Sequence, residues 1–291
     1  MNISESFAEL ISRIQPLQSE LDAARQHRDT IQTRLEKEFE VSSCRPIGSS
    51  ARGTSIRGFS DTDLLAVFRK TAFTWGDSLI NSDTALDKVR VALAERYPYS
   101  NVYRDGIAIA VSFSDGRHVD VVPAVFDTFF KEKWPVYLIA DGAGGWMPTS
   151  PALYDAYLAN ANKESGGKLT YVAQLMKFWR ECRDPRIPIS SFHIEMVLAY
   201  EDVCKGVKPY SECMLEILRS LARRECRAMR DPYGIAGNIP AVRTESQRER
   251  ALASVTNSRN HADSARTAEA NGDLPEAHRQ WDIVFNDRFP W

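Results

Sequence analysis

The sequence predicts an α+β chain of two lobes, because strand-like and helical patterns fall in different parts of its 291 residues. Short and nearly continuous apolar runs, which are typical of buried strands, lie before residue 124. After about residue 150 the hydrophobic pattern of the sequence becomes typical of helices. A hydrophobic fraction of 43% is enough for a large core. We therefore expect a mixed sheet with helices in residues 1–150 and a helical lobe in residues 151–291.

Local patterns predict the elements of the first lobe. Apolar residues at three- and four-residue steps predict one long amphipathic helix over residues 4–39, bent near Pro16. A second helix is predicted over residues 83–96. Strands are predicted at 42–47, 63–68, 107–113 and 118–122. The last two strands are expected to form a hairpin, with Pro123 ending the second.

The second lobe follows a Gly-, Pro- and Trp-rich connection at residues 141–151, which is expected to cross between the lobes. Trp146, Thr149 and Ser150 of this connection are therefore candidates to line a cleft and to affect which substrate is accepted. Beyond it, helices are predicted at 152–162, 169–183, 191–205, 211–226 and 244–271, with a short last helix ending near Phe285.

Composition and charge exclude several classes of protein. The net charge of −2 gives no bulk attraction to nucleic acid or anionic lipid. No signal-peptide pattern and no apolar run of about 20 residues is present, so we expect a soluble, cytoplasmic protein without membrane contact. The five cysteines form no C-x-x-C pair, which favours ordinary thiols in a reducing compartment.

Three aspartates carry the predicted chemistry. Asp61 and Asp63 are two residues apart in a strand-like segment and would project from the same face. Two such carboxylates repel each other unless a cation lies between them, and Mg²⁺ prefers hard oxygen ligands. Asp120 lies among β-branched apolar residues, where an acid is costly unless it is paired or ligated. The three together predict a site for two Mg²⁺ ions, with Mn²⁺ as a possible substitute.

A glycine- and serine-rich loop precedes the aspartates. Gly48 and Ser49 begin this loop, and its backbone N–H groups and the hydroxyls of Ser49 and Ser50 are candidates to bind phosphates. No Gly-Lys-Ser/Thr follows the glycines, so the loop is not a Walker A motif. It is expected either to stay irregular or to open a short helix.

These residues together resemble the polymerase-β-type nucleotidyltransferase superfamily, whose pattern is Gly-Ser, then Asp-x-Asp, then a later single Asp. The string Pro46-Ile-Gly-Ser-Ser-Ala-Arg-Gly-Thr-Ser-Ile-Arg-Gly-Phe-Ser-Asp-Thr-Asp63 is similar to the branch containing cyclic GMP-AMP synthase, oligoadenylate synthase and the bacterial CD-NTases of the SMODS family. The resemblance implies a polymerase-β-like catalytic lobe, an oligoadenylate-synthase-like helical lobe and an active site in the cleft. Asp61, Asp63 and Asp120 would be its catalytic and metal-binding residues.

The resemblance extends to two helices of the second lobe. It implies that Lys177 and Ser191, with Gly48 and Ser49, hold the donor triphosphate, and that Phe192 stacks on its base. His193 and Glu195 are expected to serve structure, for example through a hydrogen bond across the lobe interface. Arg52 and Arg57 are expected either to touch the acceptor nucleotide or to be solvated.

The activity that the resemblance implies is a cyclic oligonucleotide synthase. It would join nucleoside triphosphates, with ATP or GTP favoured and a pyrimidine possible, into a cyclic di- or trinucleotide and release pyrophosphate. The product would act as a second messenger, commonly in anti-phage defence, through a separate effector protein. We expect a monomer. Strong nucleic-acid binding is not expected, because the chain lacks both a zinc-ribbon insertion and a strongly basic face.

Two other functions remain open at this point. The same metal site suits transfer of a nucleotide to a tRNA, a protein hydroxyl or a small molecule. A nucleotide-binding regulator without catalysis is the alternative outside enzymology. The identity of the joined bases, the linkage and the ring size depend on cleft geometry that the sequence does not determine.

Overall fold

The protein is described from a computed structural model that covers residues 1–59 and 62–291. It divides into two compact units, each of which is described by itself. The sheet unit contains residues 16–53 and the described part of 60–155. The helical unit contains residues 1–15, 54–59 and 156–291. The first helix and the segment 54–59 are therefore part of the helical unit, although both precede residue 150.

Ten α-helices, one short 3₁₀-helix (Lys70–Phe73) and eleven strands occur in the described residues. The strands are β1 (Val41–Ile47), β2 (Thr62–Phe68), β3 (Thr74–Trp75), β4 (Ser78–Leu79), β5 (Asn101–Asp105), β6 (Ala108–Ser112), β7 (His118–Phe130), β8 (Trp134–Ala140), β9 (Trp146–Thr149), β10 (Met229–Arg230) and β11 (Asn238–Ile239). The helices are α1 (Ile3–Ile14), α2 (Gln18–Glu38), α3 (Gly48–Arg52), α4 (Ser82–Arg96), α5 (Pro151–Glu164), α6 (Lys168–Glu181), α7 (Ser191–Tyr200), α8 (Tyr210–Arg223), α9 (Glu245–Ala270) and α10 (Leu274–Val284).

The sheet unit is built on a mixed seven-stranded sheet. Its strand order is β1-β2-β7-β6-β5, and β8 pairs with the second half of β7 and with β9. The pair β2 and β7 is parallel, whereas the other pairs of this sheet are antiparallel. The predicted mixed sheet and the hairpin of β6 and β7 are confirmed. The structure adds β5, β8 and β9, which the sequence analysis did not predict.

The two faces of the sheet have different coverings. Residues Leu64, Ala66 and Phe68 of β2 are fully buried against the apolar sides of α2 and α4. Residues Leu65 and Val67 point to the opposite face, in a smaller apolar cluster. Because side chains alternate along a strand, Asp63 lies on the face of Leu65 and Val67.

The prediction that Pro123 ends its strand was wrong. β7 continues to Phe130, and Pro123 lies opposite Ala66 of β2. On the other side of β7, the pairing with β6 ends at Val121 and the pairing with β8 begins at Ala124. Proline lacks an N–H group, and it is tolerated here because β7 changes its neighbour at this residue.

The prediction of one long helix over residues 4–39 was also wrong. α1 ends at Ile14 and α2 begins at Gln18. Pro16 lies between them, where its ring and missing N–H disfavour a continuous helix. The residue before it, Gln15, has an extended backbone with ψ of 135°, as expected for a residue that precedes proline.

The helical unit has an aromatic core. Phe7 of α1 contacts Trp281 of α10 edge to face, with ring centroids 5.0 Å apart, and Phe285 and Phe289 complete the cluster. Trp281 and Phe285 are fully buried, so the C-terminal residues pack into this core. Trp291 is 61% exposed and only stacks on a neighbouring histidine.

Helices α5 to α10 match their predicted positions closely, except that α7 ends at Tyr200 rather than near residue 205. Turns follow at residues 201–204. Within the described residues, no helix is both long and apolar enough to cross a membrane. All five cysteines are free thiols, and four of them are buried.

Candidate active site

Two of the three predicted catalytic aspartates face each other across neighbouring strands. Asp63 of β2 is the register partner of Asp120 of β7. Directly opposite residues of paired strands point to the same face, and adjacent strands are about 5 Å apart. Both side chains are partly exposed, whereas the flanking residues Leu64 and Val121 are fully buried. The sheet therefore holds a pair of accessible carboxylates in one row of residues.

Gly48 fills a position that no other residue can occupy without moving Asp63. Gly48 follows Ile47, which is the register partner of Asp63 on the other side of β2. A Cβ atom on Gly48 would lie 2.0 Å from Oδ2 of Asp63, and the Gly48 φ angle of 68° is one that favours glycine. The sequence predicted only that Gly48 begins a phosphate-binding loop. The structure shows a close approach of the backbone to the Asp63 carboxylate.

The Gly-Ser loop opens a short helix, which was one of the two predicted outcomes. α3 runs from Gly48 to Arg52 and ends at Gly53, whose φ angle is 69°. Ser49 is 7% exposed. The hydroxyl of Ser50 donates to the carbonyl of Ile47 at 3.2 Å, so it serves the turn that opens α3.

The two loop arginines have protein partners. Arg52, whose side chain is 11% exposed, forms an ion pair with Asp155 at 3.1 Å. Arg57 is exposed, and its Nε donates to the carbonyl of Gln15 at 3.2 Å. The expectation of a freely solvated Arg52 was therefore wrong, because its guanidinium is mostly buried against a carboxylate.

The described carboxylates suit part of a divalent-metal site. Asp63 and Asp120 supply hard oxygen ligands from one row, and both are reachable from solvent. In the part of the chain that the structure describes, no group of three or more His, Cys, Asp or Glu residues is placed to hold a metal ion. The third predicted ligand, Asp61, lies outside the described residues. The donor set that is described thus fits a divalent cation, with two of the three predicted ligands in place.

The three predicted nucleotide-binding residues of the second lobe lie on two consecutive helices. Lys177 is in α6 and is buried, at 7% exposure. Ser191 is the first residue of α7, and Phe192 follows it. Both are partly exposed, so Phe192 is not a core residue.

Arg180 is a residue of this region that was not among the predicted site residues. It lies one helical turn after Lys177, and its Nη1 donates to the Ser191 hydroxyl oxygen at 2.9 Å. The i, i+3 spacing from Lys177 was the available signal, since residues three apart lie on the same side of a helix.

His193 and Glu195 have structural partners, as predicted. His193 is fully buried, its Nδ1 lies 3.1 Å from the carbonyl oxygen of Ile239, and burial lowers its pKa to about 4. Glu195 is 3% exposed and accepts a hydrogen bond from the Thr54 hydroxyl at 2.8 Å. Each of these two contacts lies inside the helical unit, rather than across a lobe interface.

The connection after residue 141 is more ordered than predicted. Trp146 lies in β9, donates from its indole N–H to the carbonyl of Ile80 at 2.8 Å, and packs on the core of the sheet unit. Ser150 is fully buried and donates to the carbonyl of Pro135. The suggestion that Ser150 lines a cleft was therefore wrong, whereas Trp146 is partly exposed beside its packing contacts. Thr149 is partly buried opposite Tyr137.

A parallel strand pair with facing aspartates, a Gly-Ser turn that opens a short helix, and a separate helical unit together define the class of polymerase-β-like nucleotidyltransferase folds. The chain belongs to the family of the Second Messenger Oligonucleotide or Dinucleotide Synthetase (SMODS) domain, whose model matches residues 1–162. The resemblance inferred from the sequence is thereby confirmed. Enzymes of this family generally use divalent metal ions.

A curated relative and two solved structures support this assignment. The chain is 27% identical over 188 residues to a cyclic AMP-AMP-AMP synthase of Escherichia coli (strain MS 115-1), a match that covers 61% of this chain and 57% of the relative. The chain therefore spans little more than half the length of that relative. It has the fold of E. coli MS115-1 CdnC with ATP, at a TM-score of 0.77, 19% identity and coverage of 100% and 99% of the two chains. It also has the fold of the Vibrio cholerae DncV cyclic AMP-GMP synthase, at a TM-score of 0.74, 13% identity and coverage of 99% and 97%.

Proposed function

We propose that this protein is a nucleotidyltransferase that joins nucleoside triphosphates into a cyclic oligonucleotide and releases pyrophosphate. The observation that carries the proposal is the facing pair Asp63 and Asp120, with Gly48 against the Asp63 carboxylate. Two adjacent carboxylates on one sheet face repel each other, and a cation bound between them would relieve that repulsion. Their accessible position suits a catalytic role better than a structural one.

The proposed reaction is the attack of a ribose hydroxyl on the α-phosphorus of a nucleoside triphosphate. The new P–O bond forms as the bond from the α-phosphorus to the oxygen that bridges to the β-phosphate breaks, and pyrophosphate leaves. Asp120 accepts the proton of the attacking hydroxyl and passes it to solvent. A final attack within the same linear product closes the ring.

Asp63 and Asp120, with Asp61, are proposed to hold two Mg²⁺ ions, for which Mn²⁺ is a substitute. When bound, the ions lower the pKa of the attacking hydroxyl and neutralise charge on the leaving pyrophosphate. The role of Gly48 is to leave room for the Asp63 carboxylate, so that its oxygens keep one orientation. Phosphoryl transfer depends mainly on such positioning.

The helical unit is proposed to hold the donor nucleotide. Lys177 supplies a positive charge for the triphosphate, and Ser191 supplies a hydroxyl donor at the start of α7. Phe192 is partly exposed and offers an aromatic face for the base, a contact typically worth about 1–3 kcal/mol by alanine substitution. Ser49 is proposed to bind the same triphosphate, because its position matches the serine of the family's Gly-Ser motif.

ATP is the proposed substrate, because the curated E. coli relative is a cyclic AMP-AMP-AMP synthase. The product would act as a second messenger on a separate effector protein, in defence against phage. Transfer of the nucleotide to a tRNA, protein or small-molecule acceptor is the competing use of the same carboxylates. The form of the product separates the two, because a cyclic product has no terminal phosphate for a phosphatase to remove.

The test is to incubate the protein with each radiolabelled nucleoside triphosphate, alone and mixed, with Mg²⁺ or Mn²⁺. Phosphatase treatment is followed by mass analysis of the resistant products. Asp120→Asn is the catalytic variant. Asp127→Asn is its matched control, because Asp127 lies on the same strand β7 but is exposed at the far end.

We expect a phosphatase-resistant cyclic adenine nucleotide from the wild type and from Asp127→Asn, and none from Asp120→Asn. A resistant product that persists in Asp120→Asn would overturn the assigned role of Asp120. If radiolabel remains on an added acceptor, the reaction is acceptor modification and the proposed cyclisation is wrong. Nucleotide binding without pyrophosphate release, under both metals, would favour a regulator.

A further inference from the structure

The guanidinium of Arg180 is held in one orientation by an ion pair. Arg180 lies in the last turn of α6, and its side chain is 13% exposed. Its Nε donates to Oε1 of Glu181 at 2.9 Å, and its Nη2 donates to the same oxygen. The Glu181 side chain is 7% exposed. A charge-assisted contact of this kind, largely shielded from solvent, fixes the direction of the remaining donors.

The remaining N–H donors of Arg180 contact residues at the start of α7. Nη1 of Arg180 donates to the carbonyl oxygen of Ile189 at 2.8 Å and to the hydroxyl oxygen of Ser191 at 2.9 Å. A guanidinium has no acceptor, so the Ser191 hydroxyl can only accept in this contact. Its own hydrogen must point in another direction.

Capping does not use the Ser191 hydroxyl. The residue that caps α7 is Ser190, whose hydroxyl accepts from the backbone N–H of His193 at 3.3 Å. Ser191 is partly exposed, and within residues 1–59 and 62–291 its hydroxyl hydrogen has no acceptor. The arrangement therefore leaves an oriented hydroxyl donor at the surface of the helical unit.

We propose that Arg180 is a positioning residue, which orients and polarises the Ser191 hydroxyl so that it donates to a phosphate oxygen of the bound nucleotide. This inference rests on the proposed function, since it takes a nucleoside triphosphate as the ligand. A hydroxyl that accepts from a cation becomes a stronger donor, because hydrogen bonds in a chain polarise one another. Arg180 thus acts on the phosphate through Ser191, without touching it.

The test is a double-mutant cycle on nucleotide binding. The dissociation constant of a non-hydrolysable ATP analogue is measured for wild type, Arg180→Met, Ser191→Ala and the double variant, with thermal unfolding of each. If Arg180→Met does not fold, Arg180→Lys replaces it in the double-mutant cycle. Its single ammonium keeps a charge beside Glu181 but cannot reproduce the two-directional fork of a guanidinium.

Arg183→Met is the matched control. Arg183 lies just past the same end of α6, and its guanidinium donates to the carbonyl oxygens of Trp179 and Val284 at 2.8 Å and 2.7 Å. It has no contact with Ser191 among its hydrogen bonds. A loss of affinity that comes only from weaker packing of α6 would appear equally in this control.

We expect Arg180→Met and Ser191→Ala each to weaken binding about 10-fold, which is the scale of one hydrogen bond to a charged group. The double variant should bind no worse than either single one, because both remove the same contact. Arg183→Met should lower the unfolding temperature and leave the dissociation constant within about twofold. Three results would each overturn the inference. The Arg180 variants could bind with the wild-type dissociation constant, the double variant could show the product of the two single losses of affinity, or Arg183→Met could lose as much affinity as Arg180→Met.

The same measurements separate this inference from the proposed function. If the wild type binds nucleotide with the expected coupling but releases no pyrophosphate, the proposed function fails and the role of Arg180 stands. If the wild type forms product while the Arg180 variants bind normally, only the inference fails. Absence of any nucleotide binding by the wild type would overturn both.

Discussion

Replacing Gly48 with alanine perturbs the Asp63 carboxylate directly. The new Cβ atom would lie 2.0 Å from Oδ2 and 2.8 Å from Cγ of Asp63. An ordinary contact between such atoms is about 3.5 Å, so the carboxylate oxygen must move by about 1.5 Å or the turn must open. Either movement takes Asp63 out of its row with Asp120.

Gly53→Ala provides the control that separates this contact from backbone strain. Gly48 and Gly53 have φ angles of 68° and 69°, so alanine meets the same left-handed backbone at both positions. That backbone costs about 1–2 kcal/mol of stability. A Cβ atom on Gly53 meets nothing within 4 Å, so the second variant carries the strain without the collision.

The assay compares pyrophosphate release and thermal unfolding of the two variants. A misplacement of about 1 Å at a catalytic group can cost about 100-fold in rate, so Gly48→Ala should be at least that much slower than Gly53→Ala. The unfolding temperatures of the two should fall by similar amounts. Equal rates in the two variants would refute the reasoning, because the carboxylate would then tolerate displacement.

Three further predictions concern stability. Arg45→Met should raise the unfolding temperature by about 2–4 °C, because Nε and Nη2 of Arg45 are buried and have no hydrogen-bond partner among the described residues; an unchanged or lower temperature in thermal unfolding contradicts this. His193→Gln should reduce the loss of unfolding free energy that occurs as the pH falls below 6.5. The folded-state pKa of His193 is lowered to about 4, so between pH 6.5 and 4 only the unfolded chain takes up its proton, which costs up to about 1.4 kcal/mol per pH unit. Denaturant unfolding across this range checks the slope, and a slope like that of the wild type would count against the assignment. Ser258→Ala should cost about 1–3 kcal/mol, since it leaves the buried indole N–H of Trp179 without its 2.8 Å partner; Ser264→Ala on the exposed side of the same helix should cost far less, and equal losses in denaturant unfolding would refute the explanation.

Local patterns in the sequence were sufficient for most of the elements. β2 and α4 were predicted within one residue of their observed ends, because period and end signals are encoded in neighbouring residues. Pro16 and Pro123 were recognised as residues that interrupt regular structure, but the effect predicted for each was wrong. Pro16 separates two helices instead of bending one, and Pro123 lies inside a strand. Whether a strand tolerates proline depends on its neighbours, which a local pattern does not contain.

The candidate site was partly predictable for the same reason. Alternation along a strand places Asp63 on one face, but its distance from Asp120 depends on the register of two strands that are 57 residues apart in the sequence (120 − 63). The role of Ser150 was misjudged, because β9, the strand that precedes it, was not recognised as part of the sheet. A four-residue edge strand between Gly145 and Ser150 carries too short a pattern to be identified.

The sequence by itself determined the family, the candidate residues and the order of the main elements, since these follow from motifs and from short-range periodicity. The tertiary structure decided which atoms meet. The parallel pairing of β2 with β7, the approach of Gly48 to the Asp63 carboxylate, and the contact from Arg180 to the Ser191 hydroxyl all join residues that are distant along the chain. Such contacts are set by packing of the whole unit, because a shift of one residue in strand register would turn each side chain to the opposite face.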